Sequence, residues 1–159
     1  MRDAANAANL RWLLEAQYAG RKAIVWAHDV HGMNAYYDSN FRGVHLKAEL
    51  GDMKPTGTFI ADRLGKQVYT IGMTSFQGED GFAMGGPATP VAPAPDGSLE
   101  ARLHALGHPY AFVDLRTLNS RESVSARLPK YDINTVTDVG RIYGGLFYID
   151  QMARATRAA

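Results

Sequence analysis

The chain has 159 residues, 46% apolar and 21% charged, the size and composition of one soluble globular domain. Seventeen basic and sixteen acidic residues leave a net charge of +1 with the signs interspersed, so neither nucleic acid nor an anionic membrane is an expected partner. The lack of cysteine excludes disulfides, thiolate metal sites and a cysteine nucleophile, and no apolar run approaches the ~20 residues of a membrane helix. Residues 1–6 contain no secretory apolar core, and a cytoplasmic location is expected.

Asp3 is placed to cap a first helix, in which Leu10, Leu13, Leu14 and Tyr18 recur at helical spacing until Gly20. Lys22–Ala27 is a short continuous apolar run, the pattern of a strand covered on both faces of a parallel sheet. Asp29–Gly43 is rich in Gly, Asn, Asp, Ser and Tyr and reads as a loop. A second helix fits Thr58–Leu64 with Gly65 as its stop, and Val68–Met73 fits a second strand. Gln77–Gly97 holds four of the seven prolines and reads as a long loop, the kind that often serves as a functional lid.

Ser98 caps a third helix, Leu99–Leu106, with Glu100 in its first turn and Gly107 after it. Tyr110–Leu115 and Gly145–Ile149 are the third and fourth strands; the polar stretch Arg116–Gly140 between them has no pattern of its own. This alternation predicts an α/β fold over residues 1–159, with a mostly parallel sheet flanked by helices. Four strands make a thin sheet.

The segment Val25-Trp26-Ala27-His28-Asp29-Val30-His31-Gly32 places two histidines just past a buried strand. In open α/β sheets ligands bind outside the carboxyl ends of strands, and imidazole is the side chain suited to proton transfer near neutrality. A three-residue offset in a tight turn can aim both rings into one pocket. The plainer reading makes His28 a strand-end cap and His31 a loop residue. A metal reading needs a third ligand, for which Asp29 and Glu79 are the nearby candidates; no metal and no cofactor are assigned.

His104 and His108 read as solvated or cap-like, and His45 with Lys47 and Glu49 as a surface face. Asp114, Arg116 and Asp150 end strands, where a carboxylate points into the crevice of His28 or caps the next segment. No Gly-x-Ser-x-Gly elbow is present, and Met84-Gly85-Gly86-Pro87 lacks the lysine of a phosphate loop. A serine nucleophile and phosphoryl transfer are therefore not expected.

Several segments together resemble the erythromycin esterase-like family. They are Arg2-Asp3, Asn9–Leu13, Lys22–His28 with His31, Met53–Gly57, Arg63–Gly65, Tyr69–Gly72, Gly97–Glu100, Asp114–Arg116 and Gly145–Asp150. The Trp-Ala-His motif with its second histidine is the most specific. The resemblance implies a hydrolase in which histidine and glutamate activate water to open a macrolide lactone. Family members are much longer, and the match is to their C-terminal portion. A further glutamate and histidine cluster near the family's N-terminus, which includes the presumed base, has no counterpart here. This chain would then be an incomplete version of the family fold.

Asp29 stands where the family usually has asparagine. A carboxylate beside His28 favours the charged ring, which suits substrate orientation or oxyanion stabilisation better than base catalysis. The expected catalytic residues are thus His28 and His31, with Asp29 binding substrate. The expected partners are a small-molecule ester or macrolide substrate, and either a second copy of the chain or a complementing N-terminal half. Two alternatives are a binding or assembly module that has lost its base and a metal-dependent hydrolase using the histidine pair.

Overall fold

The computed structural model describes residues 2–35, 39–41, 44–45, 54–81, 87–117, 123–128, 134–137 and 139–156. The chain opens with α1 (Arg2–Trp12), which runs into a π-helical turn, Leu13–Gln17, and ends before Gly20 at a positive φ of 77°. Asp3 does not cap this helix. It lies within the first turn and its carboxylate is turned toward other elements.

Lys22–Ala27 is not a strand. Ile24 is 96% and Trp26 86% exposed, and no described strand pairs with the run. Its apolar composition correctly signals a need for burial, but a strand exists only where a neighbour offers an edge. One helical turn, α2 (Asp29–Gly32), and β1 (Ser39–Phe41) follow inside the expected loop, and β2 (Val44–His45) just after it.

The second helix, α3 (Thr56–Leu64), begins two residues before its expected start, and Gly65 ends it with φ 52°. β3 starts later than expected and runs from Ile71 to Asp80. Its last residues, with β4 (Thr89–Val91), turn part of the expected long loop into an antiparallel pair; residues 82–86 lie outside the described residues. The proline-rich stretch forms a strand because β4 lies at the sheet edge, where Pro90 costs no interior ladder bond.

α4 (Leu99–His104) is capped by Ser98, whose Oγ accepts the Ala101 N–H at 3.1 Å. β5 (Tyr110–Asp114) and β8 (Gly145–Met152) occupy the last two expected strand positions. The polar stretch between them contains β6 (Ser123–Ala126) and β7 (Asn134–Thr137), defined by backbone pairing rather than by an apolar run, and leads into the helical turn α5 (Val139–Ile142).

The described strands form two sheets, ordered β2-β1-β7-β6 and β4-β3-β8-β5. The fold is α/β with mixed strand directions: β3 and β8 run parallel, and the other described pairs are antiparallel. One face of the second sheet is covered. Gly72, Leu146 and Val113 lie in one row and Thr74, Tyr148 and Ala111 in the next. Leu146 joins Met33, Leu115, Ala126, Leu128, Val139, Ile142 and Tyr143 in the core, where each large side chain contributes about 1.5–3 kcal/mol by burial. Gly72 admits the Tyr143 ring; a Cβ there would sit 2.9 Å from it.

The opposite face is only partly covered among the described residues. Met73, Phe147 and Phe112 form a cross-strand row on it, with Ser75, Ile149 and Tyr110 beside them; Ser75 is buried, and Phe147 and Ile149 are half-buried. Phe112 is 52% and Tyr110 63% exposed. Sheets with parallel strands ordinarily carry cover on both faces.

Candidate active site

The histidine turn is built by its own backbone. His28 takes an extended conformation (φ −63°, ψ 142°) at the N-cap of α2, and its Nδ1 accepts the Val30 N–H at 3.3 Å. An accepting Nδ1 leaves the proton of the neutral ring on Nε2, so the exposed His28 presents a hydrogen-bond donor outward. Asp29 Oδ2 accepts the Met73 N–H at 2.8 Å, tying the turn to β3. Burial pushes the Asp29 carboxyl above its ordinary pKa, against the opposing pull of Met73 N–H and His28.

Below the turn, Thr58 Oγ1 donates to the Met33 carbonyl at 3.0 Å, Asn34 N–H to Ile142 O at 2.9 Å, and Thr70 Oγ1 to Asn34 Oδ1 at 2.7 Å. These bonds place the histidines beside Thr70–Met73, where β3 begins. That corrects the expected position past the carboxyl end of a strand. Lys22–Ala27 joins no sheet, so its end defines no crevice; contacts with β3 and α3 locate the turn instead.

His31 is held from elsewhere. Its Nδ1 meets Asp3 Oδ1 at 2.8 Å and its Nε2 meets the Arg2 guanidinium at 2.7 Å. Asp3 Oδ1 also accepts from Thr56 N (3.2 Å) and Thr56 Oγ1 (2.9 Å) at the start of α3. Burial pushes the Asp3 carboxyl up, but the Thr56 and His31 hydrogen bonds outweigh it and its pKa lies below the ordinary value. Sequence reading missed Asp3 and Thr56 as site-supporting residues. The signal was present in the Arg2-Asp3 and Met53–Gly57 segments of the family resemblance, since a carboxylate one turn into a helix need not be its cap.

Asp150 does not turn to His28. Its Oδ1 lies 2.6 Å from His104 Nδ1 and accepts the Tyr148 hydroxyl at 2.6 Å, and the His104 ring stacks on Phe76. The His104 and Tyr148 bonds hold the Asp150 carboxyl below its ordinary pKa. Asp114 grips Arg116 through two parallel bonds (3.0 and 2.7 Å), which lower its pKa to about 2, and Arg116 lies over the Tyr69 ring. Both pairs are separate from the histidine turn. The side chain of His45 lies outside the described residues, as do Lys47 and Glu49. Among the described residues no three His, Cys, Asp or Glu side chains are grouped to hold a metal, so the histidine pair has no third ligand there. Among them too, no helix is long and apolar enough to cross a membrane.

The arrangement offers Nε2 of the neutral His28 ring as a donor, a second imidazole one turn on, and a half-buried carboxylate between them. Comparison with known proteins gives this chain a family. YbfO of Bacillus subtilis (strain 168), a provisionally named hydrolase, is 34% identical over 124 residues, covering 76% of this chain and 27% of its own. A succinoglycan biosynthesis protein of known structure superimposes with a TM-score of 0.68 at 19% identity, over 92% of this chain and 37% of that one. A histidine mutant of the erythromycin esterase EreC in its open conformation gives 0.66 at 15% identity, over 94% and 36%. The chain thus spans about a quarter to two fifths of these relatives' lengths. The profile of the Erythromycin esterase family matches residues 1–150, and the chain belongs to that family.

Proposed function

We propose that this chain is the C-terminal part of an ester hydrolase in which water attacks a small-molecule ester, with macrolide lactones as the substrate class. The observation that carries this reading is the hydrogen bond from the Val30 N–H to His28 Nδ1, which leaves Nε2 as the donor of the neutral ring. Attack of water on an ester carbonyl places negative charge on the carbonyl oxygen, and a preoriented N–H directed there stabilises the transition state. His28 Nε2–H is such a donor, held by the Val30 N–H and by the anchoring of its turn to β3. Asp29 Oδ1, which no hydrogen bond occupies among the described residues, accepts a substrate hydroxyl. His31 serves in this reading as the second imidazole of the same site. The base that takes the water's proton comes from the part of the family fold outside this chain.

The same reading names a partner and a compartment. The partly exposed face of Met73, Phe112 and Tyr110, with the exposed Ile24 and Trp26, is an apolar surface of the kind that docks another layer. Its occupant in this reading is the remainder of the family fold; a second copy of the chain is the competing occupant. The assembly works in the cytoplasm.

The test compares the chain alone with the chain fused to the N-terminal remainder of YbfO. Erythromycin opening is followed by mass spectrometry and hydrolysis of p-nitrophenyl acetate by absorbance. Turnover is expected in the fusion and not in the chain alone, with a fall of about 10²–10³ in kcat for His28→Ala. Turnover indifferent to His28→Ala overturns the assignment. Erythromycin binding by calorimetry without turnover in the fusion instead identifies a binding module. A dimer in sedimentation that fails to join the YbfO segment replaces the complementing half with a second copy.

A further inference from the structure

The two histidines of the turn are held in opposite ways. Among the described residues His28 makes one local bond and keeps Nε2 open, whereas both nitrogens of His31 are engaged by α1. A guanidinium has donors only, so His31 Nε2 must accept from Arg2. The ring proton then sits on Nδ1, where it donates to Asp3. Asp3 cannot swing away, because the same oxygen accepts the Thr56 N–H and hydroxyl. These bonds span 28 and 53 residues of sequence, so α1, itself braced by α3, holds the imidazole carried by α2.

We infer that Asp3 is a positioning residue that sets the tautomer and orientation of His31, so that its Nε2 lone pair faces the exposed Arg2. Three features support this role over a simple surface contact. The carboxylate is preoriented by two donors from α3 before it meets the ring. Its single oxygen serves all three donors, which fixes the direction of the His31 Nδ1–H. The second nitrogen is matched by a group that can only donate, so the opposite tautomer would face Arg2 N–H with its own N–H. Carboxylate–imidazole pairs in enzymes act by this tautomer control. A consequence is that substrate reaches His31 Nε2 only in exchange for Arg2. The positioning role rests on the reading of His31 as a pocket residue; the tautomer itself does not.

The test is the long-range ¹H–¹⁵N imidazole spectrum of the 159-residue chain, which reports the protonated nitrogen of each histidine. The expected result is the Nδ1–H form for His31 and the Nε2–H form for His28. An Nε2–H form at His31 in the unmodified chain overturns the inference without any variant. In Asp3→Ala, with the fold verified by the amide spectrum, His31 is expected to lose its single Nδ1–H form while His28 is unchanged. Retention of that form by the folded variant also overturns it. If Asp3→Ala does not fold, Thr56→Val, which removes one anchor of Asp3, is expected to shift the His31 tautomer population; an unchanged population counts against the inference.

In the fusion that turns over ester, Asp3→Ala is expected to lower kcat about tenfold or more with KM within about twofold. An equal loss in His31→Ala that Asp3→Ala does not worsen places the two in one unit. Unchanged kcat in Asp3→Ala overturns the positioning role. Absence of turnover in every fusion removes the hydrolase reading, while the tautomer result stands or falls on its own spectrum.

Discussion

Asp29 and Met73 are joined by a 2.8 Å bond from the Met73 N–H to a half-buried carboxylate oxygen, 44 residues apart in sequence. The bond fastens the turn that carries His28 and His31 to the start of β3. It also carries a cost, since burial raises the Asp29 pKa and the ionised form is less favourable in the fold than in the unfolded chain.

Asp29→Asn keeps an acceptor for Met73 while removing that charge. A raised folded-state pKa means the ionisation penalty is present at neutral pH and vanishes below the unfolded value of about 4. The variant is therefore expected to be at least as stable as the parent at pH 7, with the difference shrinking on acidification. Urea unfolding at pH 7 and pH 4 checks this, and a variant less stable at pH 7 contradicts it.

The opposite sign applies to Asp3, Asp114 and Asp150, whose partners lower their pKa values, Asp114 to about 2. Their stabilisation is present above the unfolded value of about 4 and is lost as pH falls from there toward 2. All three are solvent-screened, so each contributes modestly. Thermal melts are expected to drop across this window, and Asp114→Asn is expected to flatten the drop. An identical acid profile in that variant speaks against the Asp114–Arg116 pair.

Gly57 in α3 meets the backbone of the histidine turn. A Cβ at this position would overlap the Gly32 carbonyl oxygen and lie 2.8 Å from the Met33 carbonyl. Backbone atoms cannot rotate aside, so Gly57→Ala is expected to cost about 1–3 kcal/mol and to displace the His28 and His31 imidazole signals. Unshifted histidine resonances with unchanged stability would mean that α3 does not brace the turn.

Glu100 is fully buried, and its Oε1 accepts both the Thr74 hydroxyl (2.6 Å) and the Arg127 N–H (2.9 Å). Glu100→Ala strands two buried donors and removes a charge that favours the protonated Arg127, an expected loss of about 2–4 kcal/mol. Glu100→Gln keeps the accepting oxygen and is expected to lose less. Equal urea midpoints for the two variants would show that the acceptor bonds contribute little.

Local chemistry was legible in the sequence wherever one residue sets the backbone by itself. Ser98 caps α4 through its own hydroxyl, Gly65 and Gly107 supply the positive φ that ends a helix, and the apolar patterns at β5 and β8 mark strands beside partners they do have. The Trp-Ala-His motif pointed to the family for the same reason: spacing along the chain is intrinsic to it.

Tertiary structure alone decided who pairs with whom. Lys22–Ala27 carries the composition of a strand and finds no edge, whereas the proline-rich Thr89–Val91 finds one at β3. Asp3 looks like a cap in sequence, yet it spends its carboxylate on Thr56 and His31, and Asp150 turns to His104 rather than to His28. A hydrogen bond between residues dozens of positions apart depends on which surfaces meet, and no local propensity encodes that meeting.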